Sequence, residues 1–376
     1  MTDAPPSEID VLIVGAGIAG ASLAAALAPW RSVMLAEAEE WPGYHATGRS
    51  AAFWHESYGG AGVQPLTLAS QATLDNPPPG LSDRGFLSPR TALTIGRRSE
   101  TAAVDAFTAE FAAKGVDVER MSGKAVASRI PGLRPEWSEA AYEAACRDID
   151  VGRLHAAYLR AARRAGAMLV ARAPLRNARR VAGGWDVRLG TGGVHATLIV
   201  NAAGAWADQV AIACGIAPVG IQPYRRTMVQ LRLGVPVPAD LPLVIHVGGD
   251  FYFKGESEGR IWLSPHDETP TAPHDATPEE MDVALAIERL QSVVDWPVAA
   301  VDRKWAGLRS FAPDRLPVFG PDRHEAAFVW CAGQGGFGIQ TAPAIAGLLA
   351  AQLGAPPPDS AIVRVDPAAY SPARFV

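Results

Sequence analysis

Cysteine is scarce in this chain: Cys146, Cys214 and Cys331 are the three among 376 residues. They form no CxxC pair, which argues against a disulfide framework or a thiolate metal cage, and no metal site is expected. Long blocks of one charge are missing too. Lys and Arg number 34 against 39 Asp and Glu, a net charge of −5. There is thus no basic surplus of the kind that holds nucleic acid or a polybasic membrane anchor. Apolar runs are short. The stretch 11–14 ends at a glycine, far below the ~20 residues of a membrane helix. Residues 1–8 are polar and acidic, without the basic and apolar parts of a signal peptide. The expectation is a soluble, cytoplasmic protein with no transmembrane segment and no nucleic-acid partner.

What is present is apolar residue, 48% of the chain, enough for a substantial core. The length predicts two domains or one two-lobed unit. With 37 glycines and 31 prolines, many short connections are expected, and residues 76–80 and 269–276 read as surface loops. No internal repeat occurs. Residues 10–14, 33–37, 196–201 and 328–331 read as buried strands. Helices are expected after the first glycines through Leu27, over 154–165, and from the last glycine turn to about Leu353. Between them, Val229, Leu231 and Leu233 alternate with Gln230 and Arg232, the period of a half-buried antiparallel strand. Residues 251–253 and 260–263 read as further strands. Thr277-Pro278-Glu279-Glu280 reads as a capping box with proline at the first helical position. Val283, Ile287, Leu290 and Val294 then mark one helix face. The fold class is α/β: a Rossmann-like domain interleaved with an α+β lobe on a mixed antiparallel sheet.

Gly15-Ala16-Gly17-Ile18-Ala19-Gly20 lies between a strand and a helix, and a second strand ends in Glu37. That context makes a common glycine pattern informative. Gly15 permits the tight turn, Gly17 lets the backbone approach a pyrophosphate, and Gly20 lets helix and strand pack closely. The helix N-terminus offers N–H groups to phosphates, and Glu37 stands at the distance of a ribose-binding carboxylate. This turn alone does not separate FAD from NAD. A second glycine turn, 333–340, ends a strand and opens a helix, and its N–H groups suit the negative charge of a reduced flavin.

Several segments occur in an order that resembles the D-amino-acid oxidase superfamily of flavoenzymes. They are residues 43–52 (GYHATGRSAA), 201–206 (NAAGAW), 305–310 (WAGLRS) and 335–340 (GGFGIQ). The similarity runs from about residue 10 to 364 and is greatest to bacterial FAD-dependent D-amino acid dehydrogenases such as D-arginine dehydrogenase. The resemblance implies an FAD domain of 8–50, 151–215 and 318–364, and a substrate domain of 51–150 and 216–317. It places Ala19, Glu37, Ala38, Thr47, Gly48, Arg49, Ser50, Ala51, Ala52, Pro174 and Gly204 along FAD. It also places Gly335, Gly336, Phe337, Gly338, Ile339 and Gln340 there. The sarcosine oxidase branch attaches its flavin through a cysteine after the Trp-Ala-Gly-Leu-Arg region. Residues 310–317 have no cysteine, so the implied FAD is non-covalent.

By the same resemblance Arg226 and Arg309 hold the substrate carboxylate, a task that suits the planar guanidinium fork. Tyr252 contacts that carboxylate, Tyr58 lies on a loop over the substrate, and Gly336 meets the amine through its backbone. His45 and His55 lie near the site region and read as structural. The implied reaction moves hydride from Cα to flavin N5, leaving an iminium that hydrolyses to a 2-oxo acid and ammonia. Two departures concern specificity. D-arginine dehydrogenase carries an acid two residues after its Ser-Pro-Arg turn; here Ser88-Pro89-Arg90 is followed by Thr91 and Ala92. A histidine of the same family is replaced by Phe53. A buried unpaired cation is costly, so the expected substrate is a neutral, apolar D-amino acid. An N-substituted amino acid, a 2-hydroxy acid, or a non-catalytic flavin subunit are the alternatives. No motif selects oxygen, a quinone or another carrier as the electron acceptor.

Overall fold

The computed structural model describes residues 8–238, 240–256 and 259–375; residues 1–7, on which the leader reading rests, lie outside them. Two sheets organise the molecule. In the first, Glu8–Val14 is flanked by Val33–Ala36 and Gly192–Asn201, both parallel to it. Parallel strands require long crossovers, which lay helices over the faces and leave strands apolar on both sides. Val11, Leu12, Ile13 and Val14 are accordingly all buried. Met168–Val170 extends the parallel part. The first half of Gly192–Asn201 pairs with antiparallel Gly184–Leu189, and its last three residues pair with parallel Phe328–Ala332. Leu175–Val181 and Val318–Pro321 complete eight strands.

Helices Ile18–Leu27, Val151–Arg164 and Gly338–Gln352 pack beside one another on this sheet. The closeness of the first is set by its glycines. A Cβ on Gly20 would sit 1.9 Å from the Gly15 carbonyl oxygen. Gly15 has φ +100°, and its Cβ would meet the Ala202 oxygen at 2.5 Å. Helix Gln64–Asp75 falls in the segment assigned to the second lobe, yet its Leu66 and Ala69 join the core under these helices.

The second sheet has ten strands and is antiparallel except where Leu243–His246 runs parallel to Ala92–Gly96. Its backbone is the long pair Gln222–Leu233 and Val298–Phe311. Residues two apart share a face. Val229 and Leu231 pack with Phe253, Ile261, Leu263 and Leu290 in a core of their own. Met228 points the other way and packs with Tyr252.

Two local readings are corrected. The helix expected to start at Thr277 starts at Glu280, capped by Glu279 without a side-chain cap bond. The box acid Glu280 pairs with Lys304 instead, while Arg225 takes Glu279 and, at 2.8 Å, Asp282. Val294 is fully buried but already extended, one residue past the helix. Within the stretch read as a loop, Thr269–Pro270 pairs with Tyr224 and Arg225.

Gly20→Ala destabilises the fold by about 1–3 kcal/mol or more, because the added methyl has backbone on the far side and cannot be accommodated by a rotamer change. Gly193→Ala, where the nearest atom is 3.8 Å away, should stay within about 0.5 kcal/mol. Chemical denaturation reads both, and equal losses would contradict this packing account.

Candidate active site

One cavity of about 530 Å³ runs from the first glycine turn to the face of the second sheet that carries Arg226 and Met228. At its near end stand Gly15, Gly17 and Ala19, with Glu37 and Ala38 beside them and Pro174 beyond. Glu37 is buried, and its carboxylate accepts from Ala16 N at 2.9 Å and from Glu39 N at 3.0 Å. Its backbone bridges to Val170 and Ala173. The carboxylate is thus fixed beside the turn. His155 supports the turn from below, its Nε2 donating to the Ala16 oxygen at 2.8 Å. Burial lowers its pKa, which keeps it neutral; the sequence reading missed this residue, since a lone helix histidine carries no signal.

The middle of the cavity is walled by Thr47, Arg49, Ser50 and Ala51. Thr47 Oγ1 accepts from Ile18 N at 3.0 Å, so the segment caps the helix that follows the turn. Arg49 ties the two sheets together. Its Nη1 donates to the carbonyls of Ala276 at 2.9 Å and Ala306 at 3.0 Å, and its Nη2 pairs with Asp275. His45 lines this region too, 2.8 Å from Glu39 and stacked obliquely on Trp206. Gly204, Gly335, Gly336, Gly338 and Ile339 close the other wall.

Arg226, Met228, Tyr252 and Arg309 form the far end. Arg226 is 3% exposed. Its Nε donates to the Asp267 carbonyl at 2.7 Å and its Nη2 to Glu268 at 3.0 Å. Its Nη1 is buried with no partner. Arg309 donates from Nη1 to the Tyr58 hydroxyl at 2.7 Å and from Nη2 to the Tyr252 hydroxyl at 3.3 Å. Burial first, and repulsion from Arg309 second, lower Arg226 to about 10, so it remains charged at neutral pH. Burial and the same two cations push neighbouring His266 down to about 2, so that imidazole is neutral. A Cβ on Gly336 would lie 2.7 Å from Arg309 Nη1; glycine there leaves the guanidinium its place. Met228 was missed, although the two-residue period that carries Arg226 inward carries Met228 as well.

Six residues assigned to the site stand outside the cavity wall. Gly20 and Gly48 make tight turns behind it, Gly48 N donating to the Gly43 carbonyl at 2.7 Å. Ala52 bonds Ile149 through its carbonyl. Phe337 packs its ring on Tyr58, 5.3 Å between centroids. Gln340 is buried behind the wall; it accepts from His55 N at 3.2 Å and donates to the Tyr58 carbonyl at 3.1 Å and Thr67 at 2.8 Å. Tyr58 reaches the site only through Arg309. The loop carrying Tyr58 is further anchored by His55, whose Nε2 lies 2.8 Å from Glu143, and by Ser57, which donates to the same carboxylate. Although burial opposes it, the pairing with His55 holds Glu143 below the usual carboxylate range.

The donor set fits a flavin dinucleotide. There is a glycine cradle that a Cβ would fill, a fixed carboxylate beside it, and a long cavity ending on a buried cation with an unpaired N–H. Among the described residues no group of acids, histidines and cysteines gathers to hold a metal, and no helix is long and apolar enough to cross a membrane.

Comparison with known proteins gives the same picture. A family model described as FAD dependent oxidoreductase (DAO) matches residues 10–352. Hydrogen cyanide synthase subunit HcnC of Pseudomonas aeruginosa is 30% identical over 210 residues, 52% of this chain and 46% of that protein. Mitochondrial dimethylglycine dehydrogenase of Mus musculus is 28% identical over 244 residues, 59% of this chain and 28% of that protein. The matched stretches therefore span less than half of either relative. Glycine oxidase from Geobacillus kaustophilus superposes with a TM-score of 0.85 at 23% identity, covering 99% of this chain and 100% of that one.

If the far end receives a carboxylate, Arg309→Met weakens binding of propionate to the cofactor-loaded protein by about 10- to 100-fold, the loss of charged hydrogen bonds. Isothermal titration reads it, and unchanged affinity would show that the carboxylate lies elsewhere.

Proposed function

The chain belongs to the DAO family of FAD-dependent oxidoreductases, and from that membership we propose that it deaminates a neutral, apolar D-amino acid oxidatively. The observation that carries this reading is the far end of the cavity. Arg226 is buried, Arg309 is half-buried beside it, and Arg226 keeps one N–H pair unspent. A substrate carboxylate supplies the missing charge and acceptors, and it fixes Cα by bidentate geometry.

In this reading Gly15, Gly17 and Ala19 receive the pyrophosphate, Glu37 the ribose, and Thr47, Arg49, Ser50, Ala51, Gly335, Gly336, Gly338 and Ile339 the flavin end. FAD supplies the hydride acceptor when bound. The protein's own part is orientation. Arg309 and Arg226 hold the carboxylate, Tyr252 and Tyr58 hold Arg309, and the Gly336 backbone faces the amine. Hydride leaves Cα of a neutral amine, the nitrogen lone pair forms the C=N bond, and water converts the released iminium to a 2-oxo acid and ammonium. Among the residues lining the cavity is Cys331, but burial pushes its thiol up to about 12. A neutral thiol is a poor nucleophile, which supports non-covalent FAD.

The preference for a neutral side chain rests on two residues. Ala92 brings no charge, and its cross-strand neighbour is Glu143. Glu143 is already committed to His55 and Ser57. A cationic side chain would find no free counter-charge there, and its burial is costly. The name of the mouse relative points to an N-substituted glycine as the second reading.

Anaerobic mixing tests both. Neutral D-amino acids bleach the visible band of the oxidised flavin, and steady-state kcat/KM for D-arginine and D-lysine falls at least about tenfold below the best neutral one. A best value on D-arginine or D-lysine would overturn the specificity, and bleaching by sarcosine or N,N-dimethylglycine alone would replace the substrate class.

A further inference from the structure

The place where the cavity stops bears on the size of what it accepts. Its far end is bounded by Ala51, Met228 and Tyr252 as well as the two arginines. Behind those three, Phe53, Ala92, Leu243 and Ile245 are buried with them in one apolar cluster. None of these four lines the cavity. Phe53 packs edge-on against both tyrosines that hold Arg309, with centroids 4.9 Å from Tyr58 and 6.1 Å from Tyr252. It has little freedom to move. Its two-residue strand Phe53–Trp54 pairs with Arg147 and Asp148, and it is followed at once by the anchored His55. Tyr252 is equally fixed, its hydroxyl 2.9 Å from Met228 Sδ and its ring 2% exposed.

A carboxylate held by Arg309 therefore has Phe53 immediately past the tyrosines that bond its clamp. A substituent on Cα that extends away from the cofactor cavity runs into that ring and into the closed cluster behind it. Close-packed interiors accept extra methylenes only by straining their neighbours.

Resting on the amino-acid reading above, we propose that Phe53 is a specificity-determining residue that limits the substrate to a small Cα substituent, the size of hydrogen or methyl. Removing its ring joins the cavity to the space in front of Ala92, Leu243 and Ile245. That space is lined by apolar groups, so what gains entry is a branched aliphatic side chain and not a cationic one.

The test separates pocket size from chemistry by using carboxylates that cannot react. Propionate and 4-methylpentanoate correspond to alanine and leucine without the amine. Each is titrated into the FAD-loaded wild type, Phe53→Ala and Phe53→Leu, following the flavin spectrum. In an open apolar pocket the longer acid binds tighter, because each added methylene favours burial. The wild type should show the reverse order, propionate at least about tenfold tighter. Phe53→Ala should shift the ratio of the two dissociation constants about tenfold or more towards 4-methylpentanoate, and Phe53→Leu should shift it in the same direction by less. The leucine variant keeps the core filled if the alanine variant fails to fold. A wild type that binds 4-methylpentanoate as tightly as propionate, or substitutions that leave the ratio unchanged, would overturn the proposal. The size rule holding while no amino acid bleaches the flavin would confirm Phe53 as the limit and reject the deamination reading.

Discussion

The arrangement of this molecule depends on one electrostatic fact: a buried guanidinium, Arg226, shares a site with the half-buried guanidinium of Arg309. Moving a cation out of water costs several kcal/mol even after relaxation, and recovering that cost requires close partners. Arg309 spends its two terminal nitrogens on tyrosine hydroxyls. Those are neutral acceptors that orient the fork without cancelling its charge. Arg226 has one acid, Glu268, and that carboxylate also accepts from Arg315 at 2.8 Å. The site is left positive, and that charge adds to burial in holding Arg226 to about 10 and His266 neutral. An enclosed positive site with an unspent N–H pair is built to receive an anion.

The two sheets divide the work of making that site. The parallel sheet turns its chain at Gly15–Gly20 and so brings a helix N-terminus to the cavity, whose N–H groups are suited to phosphates. The antiparallel sheet contributes one face of a long strand pair, where the two-residue period delivers Arg226, Met228 and Arg309 to the same side. Rigid strands hold such a constellation more tightly than loops do. Arg49 crosses between the sheets to the carbonyls of Ala276 and Ala306. Gln340 ties helix Gly338–Gln352 to the loop that carries Tyr58. Orientation between the dinucleotide groove and the carboxylate end thus rests on side-chain bonds as well as on the fold.

Much of this was legible in the residues because the constraints are steric or periodic. Only glycine fits where a Cβ would strike a carbonyl oxygen, as at Gly15 and Gly20. Alternation identified the strand of Val229 and Leu231 because one face meets a core. The failures arose where long-range contacts decided the outcome. The capping box at Thr277 lost to Lys304, 24 positions beyond the box acid Glu280 that it pairs with. Gln340 was read onto the cofactor from its motif, yet its side chain points to the His55–Tyr58 loop. The anchoring of that loop by Glu143 carried no local signal, since it depends on the strand pairing that sets residue 143 across from residue 92.

The central claim is that the pair of Arg226 and Arg309 needs an anion, and that the substrate provides it. Thermal unfolding of the FAD-loaded protein tests this directly when propionate is compared with propionamide at matched ionic strength. A ligand at free concentration c that binds only the folded state stabilises it by RT ln(1 + c/Kd), so Tm rises with its concentration. The account predicts a Tm that climbs with propionate concentration and stays flat with propionamide, which has the same shape and no charge. Equal shifts with the two ligands, or no shift with either, would contradict it.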